Sequence, residues 1–191
     1  MRRIVLASAS PRRKQLLEQL GLRFEVESSD YDEEMTSGSE PHEMARELSL
    51  GKARTAARKH QNALIIAADT LVVLGDRILG KPHTNSEARE MLRALNGQVH
   101  SVITGFTILD AETGKVLSRS VETRVHMRKL TMREIDGYVR TKEPLDKAGG
   151  YAIQGRGAVL VERIEGDYSN VVGLPLSALA ESLREFGIHV L

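Results

Sequence analysis

The sequence predicts a mixed α/β fold on three observations. Through the first third, short apolar runs at Ile4–Ala7, 24–28 and 63–68 alternate with helical periodicity at 11–20 and about 41–60. Two long strand patterns, 100–109 and 115–128, then follow one another across Asp110-Ala-Glu-Thr-Gly114, whose length and composition suit an antiparallel hairpin turn. Finally, a glycine-rich stretch at 146–157 leads into a strand at 158–164 and a closing helix from about 176 to 186. Parallel beginnings and an antiparallel ribbon make the sheet mixed.

The first helix has Ser10 as its N-cap and Pro11 in the first turn, where the missing N–H costs nothing. Its apolar stripe is Leu16, Leu17 and Leu20, and one turn back from the first two stand Arg12 and Arg13, which therefore extend the inward face. Two short strands, 71–74 and Arg77–Leu79, flank Gly75-Asp76. The helix Asn85–Leu95 takes Asn85 or Ser86 as cap, buries Ala88, Met91, Leu92 and Leu95, and stops at Asn96-Gly97. Thr131 caps a helix over 131–139, and the turn between Gly166 and Leu176 reads as structural. With 191 residues, no internal repeat and no low-complexity segment, the chain suits one domain, or one domain with two lobes, over 1–191.

Composition narrows the function classes. Apolar residues at 41% and charged residues at 28% are ordinary for a soluble protein, and a net charge of +1 gives no long-range pull toward nucleic acid or an anionic membrane. The absence of cysteine excludes disulfides, thiolate catalysis and cysteine-ligated metal, and fits a cytoplasmic home. The apolar run before Ser8 is far too short for a signal sequence or a spanning helix, so no membrane association is expected. Aromatic content of 4% argues against a surface on which successive bases stack. The six histidines show no metal-binding spacing.

Ser8, Ser10, Arg12 and Arg13 build an anion trap. Arginines in a first helical turn oppose the helix dipole, so something negative should compensate for them, and phosphate is the natural candidate. The apolar strand over 63–68 is expected to end at Asp69 and Thr70, where α/β sheets place ligand groups. A carboxylate there can hold a divalent cation or take a proton from water, or can simply open the turn. Gly75 to Lys81 follows a phosphate-loop pattern, but Pro82 stands where a hydroxyl should reach magnesium, which leaves Lys81 as a point charge for phosphate or as a solvated lysine. If the first three strands are neighbours, Arg12/Arg13, Asp32/Glu33 and Asp69 meet at one sheet edge, as a metal–polyphosphate site needs; Lys52 could join them. Gln154 offers a donor and an acceptor to a pyrimidine edge, and Tyr151 either packs on the base or fills core.

In this order, Ser8-Ala-Ser-Pro-Arg-Arg13, Asp32-Glu33, Gly51-Lys52-Ala53, Ala68-Asp69-Thr70, Gly80-Lys81-Pro82, Asp146 to Gly155, and Gly166-Asp-Tyr through Gly173-Leu-Pro-Leu176 resemble one family, the Maf-like nucleotide pyrophosphatases, on the branch acting on dTTP and UTP. The resemblance covers essentially the full chain. It implies hydrolysis of a nucleoside triphosphate between the α and β phosphates with Mg²⁺, Mn²⁺ or a similar divalent ion. It also implies an elongated mixed sheet with helices on both sides and a cleft between two lobes, similar to the inosine triphosphatase group, and a homodimer. Asp69 is the implied proton acceptor, and Arg12, Thr70 and Gln154 set base preference. Glu33, Lys52 and Lys81 match positions handling metal or phosphate, with Glu33 and Asp69 as the metal ligands. The branch preferring 7-methyl-GTP departs from the Tyr151 to Gln154 pattern. Gly51, where the family commonly has a larger or charged residue, is a departure. A competing class is a nucleotide-binding regulator linked to cell division, which would bind dTTP without consuming it; stable nucleic-acid binding is disfavoured by the balanced charge.

Overall fold

The computed structural model describes residues 2–28, 31 and 40–191. Seven strands form one mixed sheet: β1 (Ile4–Ala7), β2 (Glu25–Glu27), β3 (Leu64–Leu74), β4 (Arg77–Leu79), β5 (Val99–Asp110), β6 (Val116–Met127) and β7 (Val161–Glu165). Their order is β2-β1-β3-β5-β6-β7, with β4 paired to β3. β1 runs parallel to both neighbours, Val5 standing opposite Glu25 on one side and Ile65 on the other, whereas β4 and β7 pair antiparallel with β3 and β6. The helices are α1 (Pro11–Glu18), α2 (Pro41–Ala57), α3 (Asn85–Leu95), α4 (Met132–Arg140), α5 (Tyr168–Val172) and α6 (Leu176–Leu183). Short 3₁₀ turns occur at Glu143–Asp146, Ala148–Gly150, Gly155–Leu160 and Arg184–Phe186.

Two compact units make up the chain: Met1–Asp69, Thr104–Val121 and Gly173–Leu191 in the first, Thr70–Ile103 and Glu122–Val172 in the second. The first has a core of small residues, Val5, Ala7, Ala53, Ala56, Ala63, Ile65, Ala67 and Leu109. All four residues of β1 are buried, as a strand with parallel partners on both sides requires. The second packs Leu92 and Leu95 of α3 and Ile135, Tyr138 and Val139 of α4 against Val102, Val125 and Met127 of the sheet.

Local chemistry explains the boundaries. α4 starts on a full capping box, Thr131 and Glu134 each satisfying the other's backbone N–H. α3 is capped by Thr84, not Asn85 or Ser86, because Thr84 Oγ1 accepts from Glu87 N while the Glu87 carboxylate accepts from His83 N. The expected strand over 158–164 starts later, at Val161, because the 3₁₀ turn Gly155–Leu160 takes its first residues. The Gly166 to Leu176 turn encloses α5, opened by Asp167 Oδ1 accepting from Ser169 N and Asn170 N.

Candidate active site

The turn from β1 into α1 follows the expected capping chemistry. Ser10 has extended φ/ψ of −71° and 117° and accepts from Arg13 N at 3.5 Å. Ser8, nearly buried, accepts from Ser10 N at 3.2 Å and from Arg13 Nη1 at 3.4 Å, so its hydroxyl shapes the turn as well as facing it. Arg13 Nε donates to the Gly173 carbonyl at 2.7 Å, which fixes the guanidinium against the segment before α6. Arg12 and Arg13 are half-buried, and the first turn of α1 carries no acidic side chain to answer the positive helix end. Leu20 is also only half-buried, so the inward stripe reduces to Leu16 and Leu17.

Asp69 is not at the end of a strand. The two strands expected over 63–68 and 71–74 are one, and β3 runs through Asp69 and Thr70 to Leu74. A carboxylate in the middle of a buried strand needs a partner, and Lys52 supplies it: its Nζ donates to Asp69 Oδ1, both side chains being about a tenth exposed (11%). Lys52 reaches that position because α2 buries a face of small residues, Ala45, Ser49, Ala53 and Ala56, and so lies close on the sheet. Gly105 of β5 makes the approach possible, since a Cβ there would stand 2.1 Å from the Ala45 carbonyl oxygen. Ser49 Oγ, 2.8 Å from Thr107 Oγ1, adds a polar tie between α2 and β5.

Gly51, the departure noted above, also has a spatial reason. A Cβ on Gly51 would lie 2.3 Å from Tyr31 Cζ, so the glycine leaves the room that the tyrosine ring fills beside the residue preceding Lys52.

In the second unit, Thr70 is half-buried, Lys81 exposed and Gln154 half-buried. Lys81 follows β4 and opens no helix, in line with the failed phosphate-loop pattern. The Gly80 carbonyl accepts from Gly149 N at 3.0 Å, pinning the Lys81 segment to the glycine-rich stretch that leads to Gln154. Of the two readings for Tyr151, the core reading holds: it is 5% exposed, and its hydroxyl lies 2.6 Å from His100 Nε2. Burial, and then the neighbouring His126, push the His100 imidazole down to about 4, while burial pushes the Tyr151 phenol up.

The structure thus joins Ser8, Ser10 and Arg13 in one hydrogen-bonded turn and Lys52 with Asp69 in one buried pair. β2, β1 and β3 are neighbouring and parallel, which was the condition for the expected meeting at one sheet edge, but Asp69 lies within β3 and not at its end. Asp32 and Glu33 lie outside the described residues. Among the described residues no three His, Cys, Asp or Glu side chains gather as a metal cage. Asp69 nonetheless offers a hard oxygen donor, and magnesium is commonly held by one or two carboxylates together with substrate phosphates, so the donor chemistry fits such an ion. Sequence reasoning missed His100 and the Gly173 carbonyl; the first is paired across 51 positions and the second is a backbone group without a side-chain signature.

The mixed α/β sheet thus carries a serine-capped, arginine-bearing helix start and a buried lysine–aspartate pair. Residues 3–186 match the model of the Maf-like protein family, and the chain belongs to that family. Over its full length it is 49% identical to a protein of Methanosarcina barkeri and 50% identical to one of Methanococcoides burtonii, covering 97% and 98% of them. It is 47% identical to one of Desulforamulus reducens, covering all of it. Each is named dTTP/UTP pyrophosphatase. Among solved structures, a HAM1 protein from Coxiella burnetii superposes with a TM-score of 0.55 at 18% identity, over 97% of this chain and 100% of that one, a likeness of fold. No helix among the described residues is long and apolar enough to cross a membrane.

Proposed function

We propose that this chain is a nucleoside triphosphate pyrophosphatase that hydrolyses dTTP and UTP between the α and β phosphates, releasing the monophosphate and pyrophosphate. The observation that carries the reaction class is Asp69, buried in mid-strand with Lys52 on its Oδ1. The substrate assignment draws on full-length relatives named for dTTP and UTP.

Phosphoanhydride cleavage asks little covalent chemistry of a protein; positioning, charge neutralisation and an oriented water do the work. Asp69 accepts the proton of the attacking water, and Lys52 orients its carboxylate and supplies the counter-charge. Ser8, Ser10, Arg13, Lys52 and Lys81 bind phosphate oxygens; the α1 N-terminus contributes the positive end of its helix dipole. Arg12, Thr70 and Gln154 select the base. A divalent cation, Mg²⁺ or Mn²⁺, would be held by Asp69 and Glu33, and when bound it neutralises charge on the phosphates. The homodimer implied by the family resemblance and a cytoplasmic location, which the lack of cysteine favours, complete the reading. With a net charge of +1, nucleic acid is not the ligand we assign.

The test is product identity. With dTTP or UTP and Mg²⁺, dTMP or UMP should appear with one equivalent of pyrophosphate; a diphosphate with orthophosphate refutes the cleavage site, and binding without turnover refutes the enzyme reading.

A further inference from the structure

Gln154 sits on a segment that is tied down on both sides by the same carboxylate system. Downstream, Glu143 Oε2 accepts from Arg156 N at 3.2 Å and Glu143 Oε1 accepts from Gly157 N at 3.1 Å. Upstream, Ala152 N donates to the Tyr138 hydroxyl at 3.2 Å, and that hydroxyl donates to Glu143 Oε1 at 3.0 Å. Burial and the Glu143 charge push the Tyr138 phenol up, which keeps it a donor to Glu143.

The backbone is shaped around this arrangement. Lys142, directly before Glu143, has φ 61°, the one positive φ at a non-glycine among the described residues, and it turns the chain sharply after α4. Such a conformation persists where surrounding bonds hold it in place. Gly155 also has positive φ, and a Cβ on it would stand 3.1 Å from the Glu143 carboxylate. At Gly157 a Cβ would stand 2.3 Å from the Ala152 carbonyl oxygen and 2.7 Å from the Tyr138 hydroxyl. The loop therefore closes tightly on Glu143 and Tyr138, and the side-chain amide of Gln154 takes no part in the closure.

We propose that Glu143, acting with Tyr138, is the positioning residue that sets where Gln154 stands, and so governs base selection without touching the nucleotide. The inference rests on Gln154 reading the base. A shift of roughly 1 Å in a positioned group can cost up to about a hundredfold, and loss of Glu143 releases the amides of Arg156 and Gly157 and leaves the Tyr138 hydroxyl that holds Ala152 without its acceptor.

The experiment measures kcat/KM for UTP and for CTP in the full chain and in Gln154→Ala, Glu143→Ala, Glu143→Gln and Tyr138→Phe, with circular dichroism recorded for each. Glu143→Ala is expected to lower the UTP-to-CTP ratio about tenfold, mainly through a higher KM for UTP, with kcat changed by no more than about twofold. Glu143→Gln keeps an acceptor oxygen and should lower the ratio about threefold, as should Tyr138→Phe; these two carry the test if the alanine variant does not fold. A ratio that collapses in Gln154→Ala but stays at the wild-type value in Glu143→Gln and Tyr138→Phe overturns the clamp alone. Equal losses of kcat for both nucleotides, with the ratio intact, overturn it too, since a merely structural role predicts them. A ratio unmoved by Gln154→Ala overturns the base-reading assignment and the clamp with it.

Discussion

Lys52 and Asp69 are hydrogen-bonded to each other in a buried setting, one from α2 and one from the middle of β3. Asp69→Asn retains shape and a hydrogen-bonding oxygen but loses the basic carboxylate. Pyrophosphate release from dTTP should fall by about two to four orders of magnitude, with an unchanged circular dichroism spectrum. Full activity in that variant would remove Asp69 from the chemistry.

Removing the other partner tests stability instead. Lys52→Met leaves a carboxylate buried without its counter-charge, which should destabilise the fold by about 3 kcal/mol. Adding Asp69→Asn to it should recover part of that loss, and urea unfolding of the two variants beside the wild type measures the difference. Equal stability of Lys52→Met and wild type would show that the pair contributes nothing.

Gly105→Ala should act at a distance. The added methyl meets the Ala45 carbonyl, a backbone atom that cannot swing aside, so α2 must move off the sheet and carry Lys52 with it. A loss of about 2 kcal/mol of stability is expected, together with lower kcat. A variant as stable and as active as the wild type would mean that α2 tolerates displacement.

Acid should weaken the second unit through His100. Its folded-state value of about 4 lies below the ordinary 6.5, so the unfolded chain binds the proton more readily, and stability is lost as pH falls from about 6.5 toward 4. His100→Gln should flatten urea-unfolding stability across that window. An unaltered pH profile would show that the buried imidazole does not titrate there.

Much of this was legible in the sequence. The Ser10 cap with Pro11, the Thr131–Glu134 box and the alternation of β1, α1, β2 and α2 are local patterns in which each residue's partner lies within a turn. The 111–115 turn between β5 and β6 is equally local. Reading Asp69 as a strand end failed because its counter-ion sits 17 residues earlier on a helix, and a charge that seems to break an apolar run can lie inside it once neutralised. The serines and arginines of the α1 start were readable as one turn for the same reason that caps were, since Ser8, Ser10 and Arg13 lie within five positions of one another. What holds them was not, because the Gly173 carbonyl, the His100–Tyr151 bond and the Glu143 contacts are all made between segments separated in the chain.

Gly51 and Tyr31 behave as a lock and its key cut for one another. Transplanting a bulkier residue from another family member into position 51 of this chain would force the tyrosine ring to give way beside Lys52. Grafts between family members should therefore exchange positions 31 and 51 as a couple, since the two are close enough to couple.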